Sequence, residues 1–248
     1  MGYGAGLRAC VHSLRRRHQK LPPIVVLRPA GQELTLADVD DVIPIDPEPY
    51  MSIPATGTYW GLEIYYKLEV FNLRGYERIL YLDCDTLVLD DISALWDMRN
   101  YASKGLYAVR EAADMGGHPA VVGKFNSGVM IINPPLLPEN TFDRMIEIAG
   151  RAETYDGADQ GIMNTFLEQE SWASVGVLNP AYNVMVVIKK RGHWVRYKDG
   201  IKILHFTNYL KPWVPNHHQD PLYEPEFKRL WNEAYAVAPP RSEKVVLD

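Results

Sequence analysis

The chain is poor in cysteine, in long apolar runs and in surplus positive charge, and each scarcity removes a class of protein. Its two cysteines, Cys10 and Cys84, stand far apart and match no zinc or redox spacing. They read as small buried hydrophobes in a reducing compartment, which places the protein in the cytoplasm. No apolar run nears the ~20 residues of a membrane span, and no signal-peptide core opens the chain. Acidic residues outnumber basic ones, 31 to 26, for a formal charge of −5, which argues against a nucleic-acid partner. Internal repeats, low-complexity tracts and linkers are also missing.

What remains is an ordinary globular composition, 47% hydrophobic and 23% charged over 248 residues. That length fits one large domain able to bury roughly 70–75% of its unfolded surface. We read residues 1–238 as the domain and 239–248 as a loose polar tail. Residues 5–17 carry Leu7, Val11 and Leu14 at helical spacing and end in Arg15-Arg16-Arg17, cations suited to a helix C-terminus. Short apolar runs at Ile24–Leu27, Val42–Ile45, Ile79–Leu82, Thr86–Leu89, Leu106–Val109, Val129–Ile132, Val175–Leu178 and Ile201–Phe206 read as strands. Helices are expected at Gly57–Leu73, Ile92–Asp97, Pro138–Arg151, Asp159–Glu168 and Glu226–Tyr235. This alternation predicts an α/β fold with a mixed, mainly parallel sheet and helices on both faces. Such folds usually begin with a strand, and here only Met1-Gly2-Tyr3-Gly4 precede the first helix, so the first strand is expected to be missing: either the chain starts late or the sheet lacks a central strand.

The densest chemical signal is Ile79-Leu80-Tyr81-Leu82-Asp83-Cys84-Asp85-Thr86. A strand buried on both faces ends in two carboxylates, at the sheet edge where open α/β folds bind ligands. Two carboxylates so close repel unless a cation lies between them or one stays protonated. A divalent metal resolves the repulsion most simply; a turn with two solvated aspartates is the alternative. On either account the pair belongs to a cleft and not to the core.

Other segments extend this pair. Phe125-Asn126-Ser127-Gly128 reads as a turn entering a buried strand, with a glycine that permits close approach to a ligand and an amide that both donates and accepts. Asp156-Gly157-Ala158-Asp159-Gln160 leads into a helix with Asp159 placed as N-cap, and its carboxylates and amide suit vicinal hydroxyls. His205 ends a strand and would complete an oxygen–nitrogen set suited to Mn2+ and tolerant of Mg2+. Lys211, six residues on, can neutralise a phosphate. Lys67 lies on the Gly57–Leu73 helix, where a lysine ordinarily extends along the surface into water.

Together, Asp83-Cys84-Asp85, Phe125-Asn126-Ser127-Gly128, Asp156 to Gly161 and His205 to Trp213 resemble glycosyltransferase family 8, above all its glycogenin-like branch. The resemblance runs from about Tyr3 to Trp213. It implies a GT-A fold, Rossmann-like, and retaining transfer of a sugar from a nucleotide diphosphate donor, usually a UDP-sugar. It implies Asp83, Asp85 and His205 as Mn2+ ligands. It puts Lys211 on the diphosphate and Lys67 near the donor phosphate or sugar. Cys84 falls within the donor-binding motif, and Asn126, Ser127, Asp156, Asp159 and Gln160 fall around the transferred sugar, with Asp156, Asp159 and Gln160 as the candidate catalytic residues. Tyr3 matches an aromatic that packs near the uracil. Asn208 stands where the family often has a glycine at the diphosphate; asparagine tolerates left-handed backbone better than most residues. Where self-glucosylating members carry an acceptor tyrosine, this chain reads Ile188-Lys189-Lys190-Arg191-Gly192, so a separate acceptor is implied.

Two other readings compete. Haloacid-dehalogenase-type phosphatases need Asp-x-Asp-x-Thr, and here Thr86 comes one position early. A catalytically weak nucleotide-sugar-binding protein of the same fold is the second, against which the intact set Asp83, Asp85, His205 and Lys211 stands. A homo-oligomer is compatible with either.

Overall fold

The computed structural model describes residues 4–31, 39–54, 61–111, 123–151, 154, 158–170, 175–186, 200–207, 211–213 and 225–236. The chain opens with α1 (Gly4–Arg17), followed by β1 (Val25–Pro29) and β2 (Asp41–Ile45), which pair in parallel. A 3-10 helix, Leu62–Phe71, leads to β3 (Ile79–Leu82) and β4 (Thr86–Val88). Then come β5 (Leu106–Arg110), β6 (Phe125–Ile132), α2 (Thr141–Gly150) and α3 (Asp159–Gln169). The short strands β7 (Val175–Val177), β8 (Val184–Met185) and β9 (Ile203–His205) precede α4 (Pro225–Ala236).

The strands form a four-stranded sheet in the order β3-β6-β5-β7, a three-stranded sheet in the order β4-β9-β8, and the β1-β2 pair. The expected mixed α/β class holds. The described pairings, however, divide evenly: β1-β2, β5-β7 and β8-β9 are parallel, and β3-β6, β5-β6 and β4-β9 antiparallel. Alternation of strands and helices overstates the parallel share, because segments distant in sequence pair without regard to the helices between them.

Strand β6 explains how the site is held. All eight of its residues are buried. Met130 and Ile132 face one core with Phe142, Met145 and Phe166, while Val129 and Ile131 face another with Val88, Leu95, Tyr107 and Ile203. A period of two puts successive side chains on opposite faces, so an uninterrupted apolar run fills both cores. β6 begins at Phe125, earlier than the sequence suggested, so Asn126, Ser127 and Gly128 lie within the strand and not in a turn before it. The register with β5 shifts here: Ala108 faces Met130, but Val109 faces Asn126. The bulge frees Ser127 and Gly128 from pairing with β5 and turns this end of the strand toward other groups.

β4 lies at the edge of its sheet, and α1 covers it. The Val88 amide donates to Ser13 Oγ at 2.9 Å, satisfying an edge donor with a helix hydroxyl. Gly6 brings the helix close: a methyl group built there would lie 2.6 Å from the Cys84 carbonyl oxygen and 2.7 Å from the Trp213 ring. Among the described residues, no helix is long and apolar enough to cross a membrane.

Candidate active site

The acidic pair sits on a pinned turn. Thr86 donates from both its amide and its hydroxyl to the Asp83 carbonyl, at 3.1 and 2.8 Å, closing the turn over Cys84 and Asp85. The Asp83 amide donates to the Gly128 carbonyl at 2.8 Å, and the Phe206 amide to the Asp85 carbonyl at 2.9 Å. The turn is thus fastened to β6 on one side and to the end of β9 on the other. Because Thr86 faces His205 in the antiparallel β4-β9 ladder, the imidazole is delivered beside Asp85.

The side chains converge as expected. His205 Nε2 lies 3.2 Å from Asp85 Oδ1 and 3.6 Å from Asp83 Oδ2, and the three groups offer ligand atoms all within 4.8 Å of one another. Asp85 Oδ1 is buried and finds no hydrogen-bond donor among the described residues. The second ring nitrogen, Nδ1, faces Asn183 Oδ1 at 2.8 Å. A buried carboxylate oxygen without a donor, opposite an imidazole nitrogen and beside a second carboxylate, is a donor set that fits a divalent cation of borderline hardness. Burial alone would raise the Asp85 carboxyl, but the charges of His205 and Lys211 outweigh it and hold it well below the usual carboxylate range.

Both lysines point inward. Lys211 is buried, and its ammonium donates to Asp85 Oδ2 and to the Phe206 carbonyl, the latter at 2.8 Å. Lys67 departs from the surface placement expected of a helical lysine. Its Nζ lies 2.9 Å from Asp83 and 2.9 Å from Asp159, and it donates to Ser127 Oγ at 3.2 Å. Burial works against its charge, yet Asp159 and Asp83 outweigh that cost and raise the ammonium's pKa well above its ordinary value.

Around Lys67 lies the second cluster. Asp159 is the first residue of α3 and not its cap, which is Ala158. The Asp159 carboxylate instead accepts from Ser127 Oγ at 2.7 Å as well as from Lys67. Gln160 Oε1 accepts from Asn126 Nδ2 at 2.8 Å and from the Ser127 amide at 3.3 Å. The close approach allowed by Gly128 is to the His205 ring: a methyl group there would meet Cε1 at 2.1 Å and Nδ1 at 2.5 Å. Burial first, then the Asp85 and Asp83 charges, push the Cys84 thiol far up, so this residue stays protonated beside the carboxylates. Tyr3, Asp156 and Asn208 lie outside the described residues, as do residues 188–192.

Three participants carried no sequence signal of their own. Tyr81 donates from its hydroxyl to Asp83 Oδ1 at 2.8 Å. Glu111 accepts from Asn126 Nδ2 at 3.1 Å and Gln160 Nε2 at 3.2 Å. Asn183 faces His205. Each is a common residue type in a strand or loop, and only the pairing of distant segments brings it to the site.

This arrangement belongs to a known fold. The structure superimposes on the galactosyltransferase LgtC, solved with donor and acceptor sugar analogues, with a TM-score of 0.71 over 97% of this chain and 94% of that one, at 20% identity. Mouse xyloside xylosyltransferase 1 shares the fold less closely, with a TM-score of 0.53 over 83% of this chain and 92% of that one, at 16% identity. The fold is therefore of the GT-A type. Residues 25–216 match Glycosyl transferase family 8, and the chain belongs to that family. Human glycogenin-1 is 29% identical over 174 residues, 68% of this chain and 43% of that protein. An inositol phosphorylceramide glucuronosyltransferase of Arabidopsis thaliana is 25% identical over 175 residues, 62% of this chain and 29% of that protein. The chain spans half or less of the length of these two relatives.

Proposed function

We propose that this chain is a retaining glycosyltransferase that moves a sugar from a nucleotide diphosphate donor, a UDP-sugar, to a separate acceptor. The observation that carries this reading is the convergence of Asp83, Asp85 and His205 on one point, with Lys67 and Lys211 on the same carboxylates. These three side chains would hold Mn2+, with Mg2+ as a substitute. Bound there, the cation supplies positive charge against the diphosphate that departs when the glycosidic bond breaks.

The protein's own groups do the rest. Lys211 adds a point charge for the departing diphosphate, an electrostatic contribution of a few kcal/mol in a site that excludes water. Asn126, Ser127, Asp159 and Gln160, bonded to one another across β6 and α3, hold the transferred sugar. Asp156 joins them, Tyr3 packs at the uracil, and Cys84 and the backbone of Asn208 line the donor, all by likeness to the family. Lys67 holds Asp83 and Asp159 at fixed separation. Asp159 is committed to Lys67 and Ser127, which leaves it a poor nucleophile. We therefore favour departure and attack on one face of the sugar over double displacement through Asp159 or Gln160. The free cysteines accord with a cytoplasmic enzyme.

Relatives named for glucuronosyl, galactosyl and xylosyl transfer differ in the sugar moved. The test is thus a panel of UDP-sugars with Mn2+, read as UDP release. One donor should stand out, and chelation should abolish its turnover. Tight UDP-sugar binding with no UDP release, with or without candidate acceptors, would make the chain a binding protein instead.

A further inference from the structure

A chain of buried amides links the sugar-side cluster to the imidazole of His205, and its donors and acceptors can be ordered in only one way. The Gly128 amide can only donate, and it lies 2.9 Å from Asn126 Oδ1. At the other end of that side chain, Glu111 can only accept, and it lies 3.1 Å from Asn126 Nδ2. Asn126 is therefore fixed between a donor and an acceptor, with its carbonyl oxygen toward Gly128. That same oxygen faces Asn183 across 2.7 Å, so Asn183 must present its NH2 group there. Its own carbonyl oxygen is then turned toward His205 Nδ1, 2.8 Å away. An oxygen can only accept, so Nδ1 carries a ring proton, and in the neutral ring it is Nε2 that offers its lone pair to the side of Asp83 and Asp85.

We infer that Asn183 is a positioning residue that fixes the tautomer and ring orientation of His205. It presents Nε2 to the carboxylate pair, under orders relayed from the Gly128 amide and the Glu111 carboxylate. Asn183 is 1% exposed, so no water competes for its amide. Its place is held by the parallel β8-β9 ladder, in which Val184 pairs with Leu204 and Met185 with His205. The inference rests on the cation reading for its consequence; the proton on Nδ1 is set by Asn183 whether or not Nε2 carries one as well.

Two readouts test it. Long-range proton–nitrogen NMR of the histidine rings, with Mg2+ present and His205 assigned by its absence in His205→Gln, should show Nδ1 protonated and Nε2 bare. In Asn183→Ala this single tautomer should give way to a mixture, and Mn2+ binding measured by calorimetry should weaken roughly ten- to hundredfold, the usual effect of removing such a support. Asn183→Asp loses the donor toward Asn126 Oδ1 but keeps an acceptor toward Nδ1, so it should hold the Nδ1 proton and bind Mn2+ more tightly than Asn183→Ala does. It also serves if the alanine variant does not fold. A wild-type ring protonated on Nε2 alone, or an Asn183→Ala protein with unchanged tautomer and Mn2+ affinity, overturns the assignment. Wild-type protein that keeps Nδ1 protonated but binds no Mn2+ removes the cation from the proposed function and leaves the role of Asn183 standing.

Discussion

Gly128 lies against the His205 ring so closely that a single added methyl group would sit 2.1 Å from the ring carbon Cε1. No side chain fits between β6 and this imidazole. Gly128→Ala should push His205 off the carboxylate pair. We expect Mn2+ affinity, measured by calorimetry, to fall at least roughly tenfold. Overpacking should also cost about 1–3 kcal/mol of stability. Wild-type Mn2+ affinity in a folded Gly128→Ala protein would show that the ring has room to move.

Asp83→Asn and Asp85→Asn should each lower donor turnover by at least roughly two orders of magnitude, about 3 kcal/mol of transition-state stabilisation. Their stabilities should differ. The sequence placed both residues in a cleft, but Asp85 is buried against Lys211, which is itself buried. Breaking that pair leaves an uncompensated cation and should cost about 3–5 kcal/mol, read as a lower midpoint in chemical denaturation. Asp83 is the more open of the two, with 20% of its side chain exposed against 8% for Asp85, and its replacement should cost less. Full turnover of either variant with excess Mn2+ would reduce the pair to a structural feature.

Lys67 and Asp159, 2.9 Å apart, should act as a unit. A double-mutant cycle of Lys67→Met and Asp159→Asn, scored on UDP release, should give a coupling of about 0.5–3 kcal/mol. Strict additivity would mean that the lysine serves Asp83 alone.

Burial pushes the Cys10 thiol from 9.0 to about 11, against a lowering contribution from Thr86. A group raised in the folded state stabilises fully below its unfolded value and loses that contribution as pH rises through its folded one. Stability should therefore decline between pH 9 and about 11, and Cys10→Ala should flatten part of that decline. At pH 8 the folded protein should resist iodoacetamide at this position, as read by intact mass. Rapid alkylation of Cys10 would show that the helix opens readily.

Incubation with UDP-sugar and Mn2+ alone should leave the protein's mass unchanged. Residues 188–192, Ile-Lys-Lys-Arg-Gly, contain no tyrosine to accept sugar. A ladder of sugar additions in intact-mass spectra would contradict the separate acceptor.

Much of the site was legible because its parts lie in short contiguous motifs. Asp83 and Asp85 announce themselves as paired acids after an apolar strand, and His205 as an imidazole at a strand end. The inward turn of the Lys67 side chain was legible only through the family resemblance and not from its helix. Helical lysines ordinarily reach water, and only the approach of Asp83, Ser127 and Asp159 from three other segments draws this one inward. Asp159 looked like a helix cap because aspartate before a helix usually is one. Its carboxylate went instead to Lys67, a stronger partner than a backbone amide.

The same division holds for the fold. The order of strands and helices, the burial of β6 and the class of chemistry follow from local pattern, because burial and hydrogen-bonding capacity belong to each residue type. Strand direction, the β5-β6 bulge and the roles of Tyr81, Glu111 and Asn183 were decided only in three dimensions. These depend on which distant segments pair, as when Asn126 meets Asn183 across 57 residues and sets the face that His205 turns to the acids. A hydrogen-bond chain has a direction only once both of its ends are in place.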